Sequence, residues 1–366
     1  MKRLVLLGAG HAHMVALRQF AREPLPEAEL VVVSPSRWQY YSGMIPGWLA
    51  GHYRFDQCRV LVEPTVIAAG GRLVLDRAVE LRAAEQEVVL ASGERVPYDL
   101  LSVDVGSSSD STVLNESDSM ILGVKPVERF AEDWPATERS LRARARPRIV
   151  VLGGGAGGAE IAMALARRSA DCDQAGVVLV AGSNGVVPGF RPRFRRLVRR
   201  ALMRCGVEIV EEYGEPVVDG VRLAGGLRMR ADAVLVSTGG RALPFLEASG
   251  LAVDEAGFVR VDASHRSTSH HNVFVAGDAC SRVDQRLDRS GVHAVRAGPI
   301  LARNLAAAIS GKPLVRFYPR RFSLYLLAAG DCTAIGSYGP LTFSGAWVWK
   351  WKDRIDRGFV DSFPGA

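Results

Sequence analysis

A chain of 366 residues is too long for one ordinary core and is read as at least two domains. Its 48% hydrophobic and 23% charged residues exclude a disordered or fibrous protein, and its excess of 46 Lys and Arg over 39 Asp and Glu favours anionic partners without choosing among them. No apolar run is long enough to span a membrane and no aromatic-interleaved basic stripe is present, so neither a spanning protein nor a nucleic-acid binder is expected.

Residues 3–7 predict a strand, residues 11–21 a helix and residues 29–34 a second strand, with the turn G-A-G-H-A-H between the first two. The all-apolar runs suit strands buried on both faces of a parallel sheet. In the turn, Gly8 permits the tight bend and Gly10 lets the backbone approach a pyrophosphate at the helix N-terminus. His13 stands at the third position, where a small residue is usual. His11 and His13 are expected as donors over that phosphate rather than as metal ligands, because no further ligands are spaced for a metal. The opening residues mimic a signal peptide, yet Gly8 and Gly10 break the apolar run and no cleavage site follows. A cytoplasmic location is therefore expected. Ser34 ends the second strand, where an acid usually holds ribose hydroxyls.

Further along, residues 99–107 read as a strand running into Gly106. Residues 148–152 form an apolar strand before Gly153, Gly155 and Gly158, which have the full G-x-G-x-x-G spacing. A helix carrying Ile161, Ala162, Leu165 and Ala166 follows, then a strand over residues 177–180. That order is the context the motif requires. No acid closes this strand either; Ala181, Gly182 and Ser183 stand there, which leaves NADH and NADPH open. Arg191, Arg193, Arg195 and Arg196 could meet a 2′-phosphate, but their spacing favours a solvated helix face opposite Phe194, Leu197, Val198 and Ala201. Residues 233–244 are a second strand running into a Gly turn, at Gly239. Finally H-N-V-F-V-A-G-D places a strand before Gly277, Asp278 and Ala279, with a helix over residues 291–308 after it. A carboxylate there can accept a ribityl hydroxyl, while the helix aims its positive end at a flavin. The fold class is thus α/β, with two Rossmann-like three-layer dinucleotide-binding domains, one inserted in the other, and a short C-terminal segment. Residues 1–122 and 257–316 are assigned to an FAD domain, 123–256 to an NAD(P)H domain and 317–366 to a strand and helix segment.

With these motifs, together with Y-S-G-M-I-P-G-W-L-A-G-H-Y, V-K-P-V-E-R-F and the terminal W-V-W-K-W-K-D-R-I-D-R, the chain resembles the pyridine nucleotide-disulfide oxidoreductase superfamily along essentially its whole length. Within it the sequence is similar to the type II NADH dehydrogenase-like branch, and to FAD-dependent oxidoreductase modules found alone or fused to selenide, water dikinase. The resemblance implies FAD in the outer domain and NAD(P)H as co-substrate in the inserted one. It places Glu160 near the nicotinamide, and Tyr41, Ser42, Met44 and Pro46 along the isoalloxazine. Lys125 matches the K-P at the interdomain crossing, with no role assigned.

Disulfide reductases of that superfamily hold a cysteine pair against the flavin, whereas Y-Y-S-G-M-I-P-G contains none. Cys58, Cys172, Cys205, Cys280 and Cys332 are far apart, and Cys280 alone is expected near the flavin, as a buried small hydrophobe. The expected chemistry is therefore hydride transfer from nicotinamide to flavin, then release to a quinone or another small acceptor. A sulfur- or selenium-compound oxidoreductase and a non-catalytic flavin-binding sensor or partner module are the alternatives. Trp347, Trp351, Ile355 and Phe359 recur at fourfold spacing among Lys350, Lys352, Arg354 and Arg357. That helix suits a peripheral contact at the inner membrane face, a cap on the flavin domain or a homodimer contact.

Overall fold

The computed structural model describes residues 1–109, 120–170 and 176–364, so Cys172 lies outside the described residues. Its first sheet has five parallel strands in the order Val273–Val275, Leu100–Val103, Lys2–Leu7, Ala28–Ser34 and Arg72–Leu75. In the central strand Leu4, Val5 and Leu6 are fully buried because both faces are covered. Helices His11–Phe20 and Gly291–Ile309 pack together over one face. A three-stranded antiparallel sheet covers the other, through Leu81, Val88 and Leu90 against Val5, Leu7 and Val31.

The second sheet repeats the plan, in the order Met120–Gly123, Ala233–Val236, Arg148–Leu152, Gly176–Val180 and Glu208–Val210, again all parallel. Helices Ala156–Ala170 and Pro192–Arg204 lie on one face, and a small antiparallel sheet carrying Val221, Leu223 and Met229 lies on the other. An antiparallel meander (Leu324–Ala328, Ala334–Tyr338, Leu341–Gly345) leads into the last helix, Ala346–Val360.

Two expected boundaries move. Met120–Gly123 pairs with Ala233–Val236, so the chain has crossed into the second unit before residue 120 rather than after 122. Leu246 and Leu251 pack with Val5 and Leu101, so the return precedes residue 257. The units also share a core. Ile45 and Leu49, from a short helix after the first βαβ unit, are buried with Phe130, Trp134, Ile161 and Leu165, and Leu327 and Ile335 of the meander join the same cluster.

Candidate functional site

The first glycine turn is closed by a residue the sequence reading passed over. The carboxylate of Asp104 accepts the backbone N–H groups of Ala12 at 2.8 Å and His13 at 3.1 Å, two of the amides that a helix start leaves without partners. A Cβ on Gly10 would sit 2.3 Å from the Asp104 carboxyl carbon. The absence of a side chain at Gly10 admits the chain's own carboxylate beside the turn. The expectation that His13 donates to a phosphate is corrected. His13 is fully buried, its Nδ1 lies 2.6 Å from the Gly8 carbonyl and its Nε2 2.8 Å from the Ser102 hydroxyl, so neither nitrogen is available to a ligand. Burial lowers its pKa, and the neutral ring ties helix to sheet where a small third residue would otherwise let them touch. His11 differs: its buried Nε2 has no partner, and its ring lies 5.5 Å from Tyr41 and 5.7 Å from Phe359. Burial lowers its pKa against the opposing pull of Asp104 and Asp278. Ser34 spends its hydroxyl on the Ser36 carbonyl.

Asp278 sits in the turn Gly277–Ala279, and its carboxylate takes the Lys125 ammonium at 2.6 Å. The same ammonium donates to the Ser107 hydroxyl at 3.2 Å. Lys125 thus acquires a place: it reaches from the crossing between the units to hold the carboxylate after the last strand. Ser42 is exposed, and an added Cβ on Gly291 would lie 3.9 Å from both the Ser42 hydroxyl and His11 Nε2. Ser42, His11 and the head of helix Gly291–Ile309 therefore face one another. Met44 and Pro46 are buried instead, Met44 in the first core.

In the second loop, Gly158 lies so close to the Gly153 carbonyl that no Cβ fits, while Gly155, Gly106 and Gly239 look onto open space. Phe194, Val198, Ala201 and Leu202 form the buried face of helix Pro192–Arg204. Arg195 is committed to the carbonyls of Val186 and Asn184. Glu160 accepts the Ala328 N–H at 2.8 Å, and burial pushes its pKa up to about 7, against the pull of Lys352.

The last helix closes this region from the C-terminal side. Lys352 and Asp356 are buried as an ion pair of 2.6 Å, and the Lys352 ammonium also donates to the Gly43 carbonyl. Tyr41 stacks on Phe359 at 4.5 Å, and burial and the neighbouring Asp356 raise its pKa. The expected aromatic stripe is split: Trp347, Trp351 and Ile355 are exposed, while Phe359 turns inward. Cys280 lies beside the Asp278 turn, with its thiol pushed up to about 12 by burial. Among the described residues no cluster could hold a metal ion.

A family model described as pyridine nucleotide-disulphide oxidoreductase matches residues 2–298. The NADH oxidase of Methanocaldococcus jannaschii is 25% identical over 346 residues, covering 87% of this chain and 72% of that protein. The cytosolic monodehydroascorbate reductase 4 of Oryza sativa subsp. japonica is 26% identical over 305 residues, covering 76% and 67%. Among solved structures, the sulfide:quinone oxidoreductase of Aquifex aeolicus superposes with a TM-score of 0.81 at 14% identity, covering 99% of this chain and 92% of that one. An NDH2 from Plasmodium falciparum, in complex with NADH, gives 0.79 at 11% identity, covering 99% and 97%. These two share the fold.

Proposed function

The chain belongs to the pyridine nucleotide-disulphide oxidoreductase family and is an FAD-dependent NAD(P)H oxidoreductase; from this we propose that it passes electrons to a quinone or another small acceptor without a redox disulfide. The residues present fit the flavin. His11 has an unpartnered buried nitrogen beside Ser42 and the head of helix Gly291–Ile309, Asp278 is held by Lys125, and Gly106 leaves its side open. One adjustment follows from Asp104: with Ala12 and His13 already donating to it, a pyrophosphate would rely on the remaining amides and on Gly106. The open approach at Gly155 and Gly239 fits the nicotinamide nucleotide. When bound, the flavin supplies two-electron chemistry between nicotinamide and acceptor.

The observation that carries the acceptor reading is the segment Tyr41–Met44, closed by Lys352 and Asp356 and neighbouring Glu160; the thiol beside it, Cys58, is buried and pushed up to about 12 by that burial. There Glu160 accepts the Ala328 N–H on one oxygen, and its pKa near 7 lets the other hold a proton that a reduced quinone needs. Lys352 fixes the backbone at Gly43 and compensates Asp356. The inert thiol of Cys280 weighs against a sulfur route. Exposed Trp347, Trp351 and Ile355, flanked by Lys350 and Arg354, support a peripheral membrane contact from which a lipid-soluble acceptor could enter; among the described residues no helix is long and apolar enough to cross a membrane.

The test is anaerobic mixing with NADH or NADPH, followed by a soluble quinone. Either nicotinamide is expected to bleach the flavin band near ~450 nm, and the quinone to restore it. No bleaching by either donor sinks the donor assignment, and bleaching without recovery sinks the quinone.

A further inference from the structure

A cavity of about 770 Å³ lies between residues 280–290, the first turns of helix Gly291–Ile309 and residues 253–256. Of the parts assigned above to the flavin, Gly277, Cys280 and the head of helix Gly291–Ile309 border it; the two glycine loops, Asp104, Lys125, Tyr41 and Glu160 do not. Its size falls in the range of small-molecule sites, roughly 300–1,000 Å³.

Its lining combines buried ring nitrogens of two histidines with charged side chains that stand exposed at its rim. His265 lines the cavity, is 3% exposed and stands in the left-handed backbone region at φ 65°. Its Nδ1 donates to the Val275 carbonyl at 3.3 Å, and its Nε2 has no partner. Burial and the neighbouring Arg282 lower its pKa to about 4, so near neutrality Nε2 offers a lone pair that asks for a donor. A buried acceptor left without a partner costs stability, so a ligand that donates to it gains more than a surface contact would. The buried Nδ1 of His293, on the first turn of the helix, is also unpartnered.

The charges are balanced. Arg282 is committed to Asp284 and the Phe317 carbonyl, and Arg289 to Asp254 and the Phe258 ring. Arg260 and Arg286, and Glu255 and Asp288, also line the cavity and form no ion pair among the described residues. A ligand of one sign would meet one of these pairs unfavourably. A zwitterion meets both, with an ammonium toward the acids and the His265 lone pair and a carboxylate toward the guanidinium groups.

We propose that this cavity binds a small zwitterion of the α-amino-acid class, separately from the dinucleotides. The test uses the flavin-loaded protein and a panel of the common amino acids, read by melting temperature and then by calorimetry. At least one is expected to raise the melting temperature saturably, as a ligand of the folded state must. Its amino alcohol, which lacks the carboxylate, and its hydroxy acid, which lacks the amine, are each expected to bind at least ten-fold more weakly. His265→Asn keeps a residue tolerant of the left-handed backbone and is expected to weaken binding ten-fold with the flavin retained. Should that variant fail to fold, exposed Arg286→Ala is expected to weaken binding by at least three-fold. The proposal falls if no amino acid shifts the melting temperature, if the alcohol or hydroxy acid binds as well as the amino acid, or if Arg286→Ala leaves affinity unchanged. It falls equally if the folded His265→Asn variant releases its flavin, because the cavity would then belong to the cofactor seat.

Discussion

Asp104 works as a remote cap: a strand-end carboxylate reaches the amides of Ala12 and His13, while the residue before the helix, Gly10, has no side chain to do so. Asp104→Ala should therefore cost about 1–2 kcal/mol, the usual worth of a lost cap, while Asp104→Asn keeps an acceptor and most of the stability. Urea unfolding with an unchanged slope would measure it, and an unaffected midpoint in the alanine variant would refute the capping role. Glu160 makes a pH statement. Its folded pKa of about 7 stands above its ordinary 4.5, so its contribution to stability is full below 4.5 and is lost as pH rises through 7. Glu160→Gln should flatten that loss. If the carboxyl also supplies a proton during turnover, the wild-type pH profile of quinone reduction should fall with an inflection near 7, and the variant should show none. Two profiles of the same shape would leave Glu160 a purely structural residue.

At the scale of elements, the last helix divides its faces in an unusual way. Its buried side holds Val348 and Val360 together with the Lys352–Asp356 pair, while Trp347, Trp351 and Ile355 face outward. Burying the charges is tolerable because each has a partner, and Lys352 also finds the Gly43 carbonyl. Trp347 and Trp351 stack on each other and on Phe343, yet 56% and 40% of their surface stays exposed. Trp351→Ser gives up these stacked contacts and is expected to lower the melting temperature by about 2–4 °C, since an aromatic pair is worth about 0.5–1.5 kcal/mol. It should reduce co-sedimentation with anionic vesicles several-fold, and wild-type protein that stays in the supernatant would remove the membrane contact. The same helix shows what was legible in the sequence. Fourfold spacing marks a helix, and local apolar runs with glycine spacing mark the strands and turns of both βαβ units, because those signals lie within a few residues of one another. What stayed hidden depends on distant partners: Asp104 with Ala12, Lys125 with Asp278 and Glu160 with Ala328 are 92, 153 and 168 residues apart. Nor could spacing tell that Phe359 turns in while Ile355 turns out, since the partner that decides it, Tyr41, lies in the other half of the chain.

For the whole molecule, the inserted arrangement could leave two units that unfold separately, as domains with small polar interfaces do. The shared core argues otherwise. Ile45 and Leu49 belong by sequence to the first unit, yet they are 3% exposed within the cluster that holds Phe130, Ile161 and Leu165 of the second. Across the same boundary runs the Lys125–Asp278 ion pair. Melting either unit would expose apolar surface of both and strand these polar groups, so neither can open without raising the free energy of the other. Leu49→Ala should then lower the stability of the entire chain by about 2–5 kcal/mol, the range for a large-to-small change in a packed core. Release of the flavin, which reports the first unit, and loss of helical circular dichroism, which is weighted toward helices of both, should move together to a lower denaturant concentration. Separation of the two transitions in the wild type would refute the shared core; a shift of only one of them in the variant would confine Leu49 to a single unit.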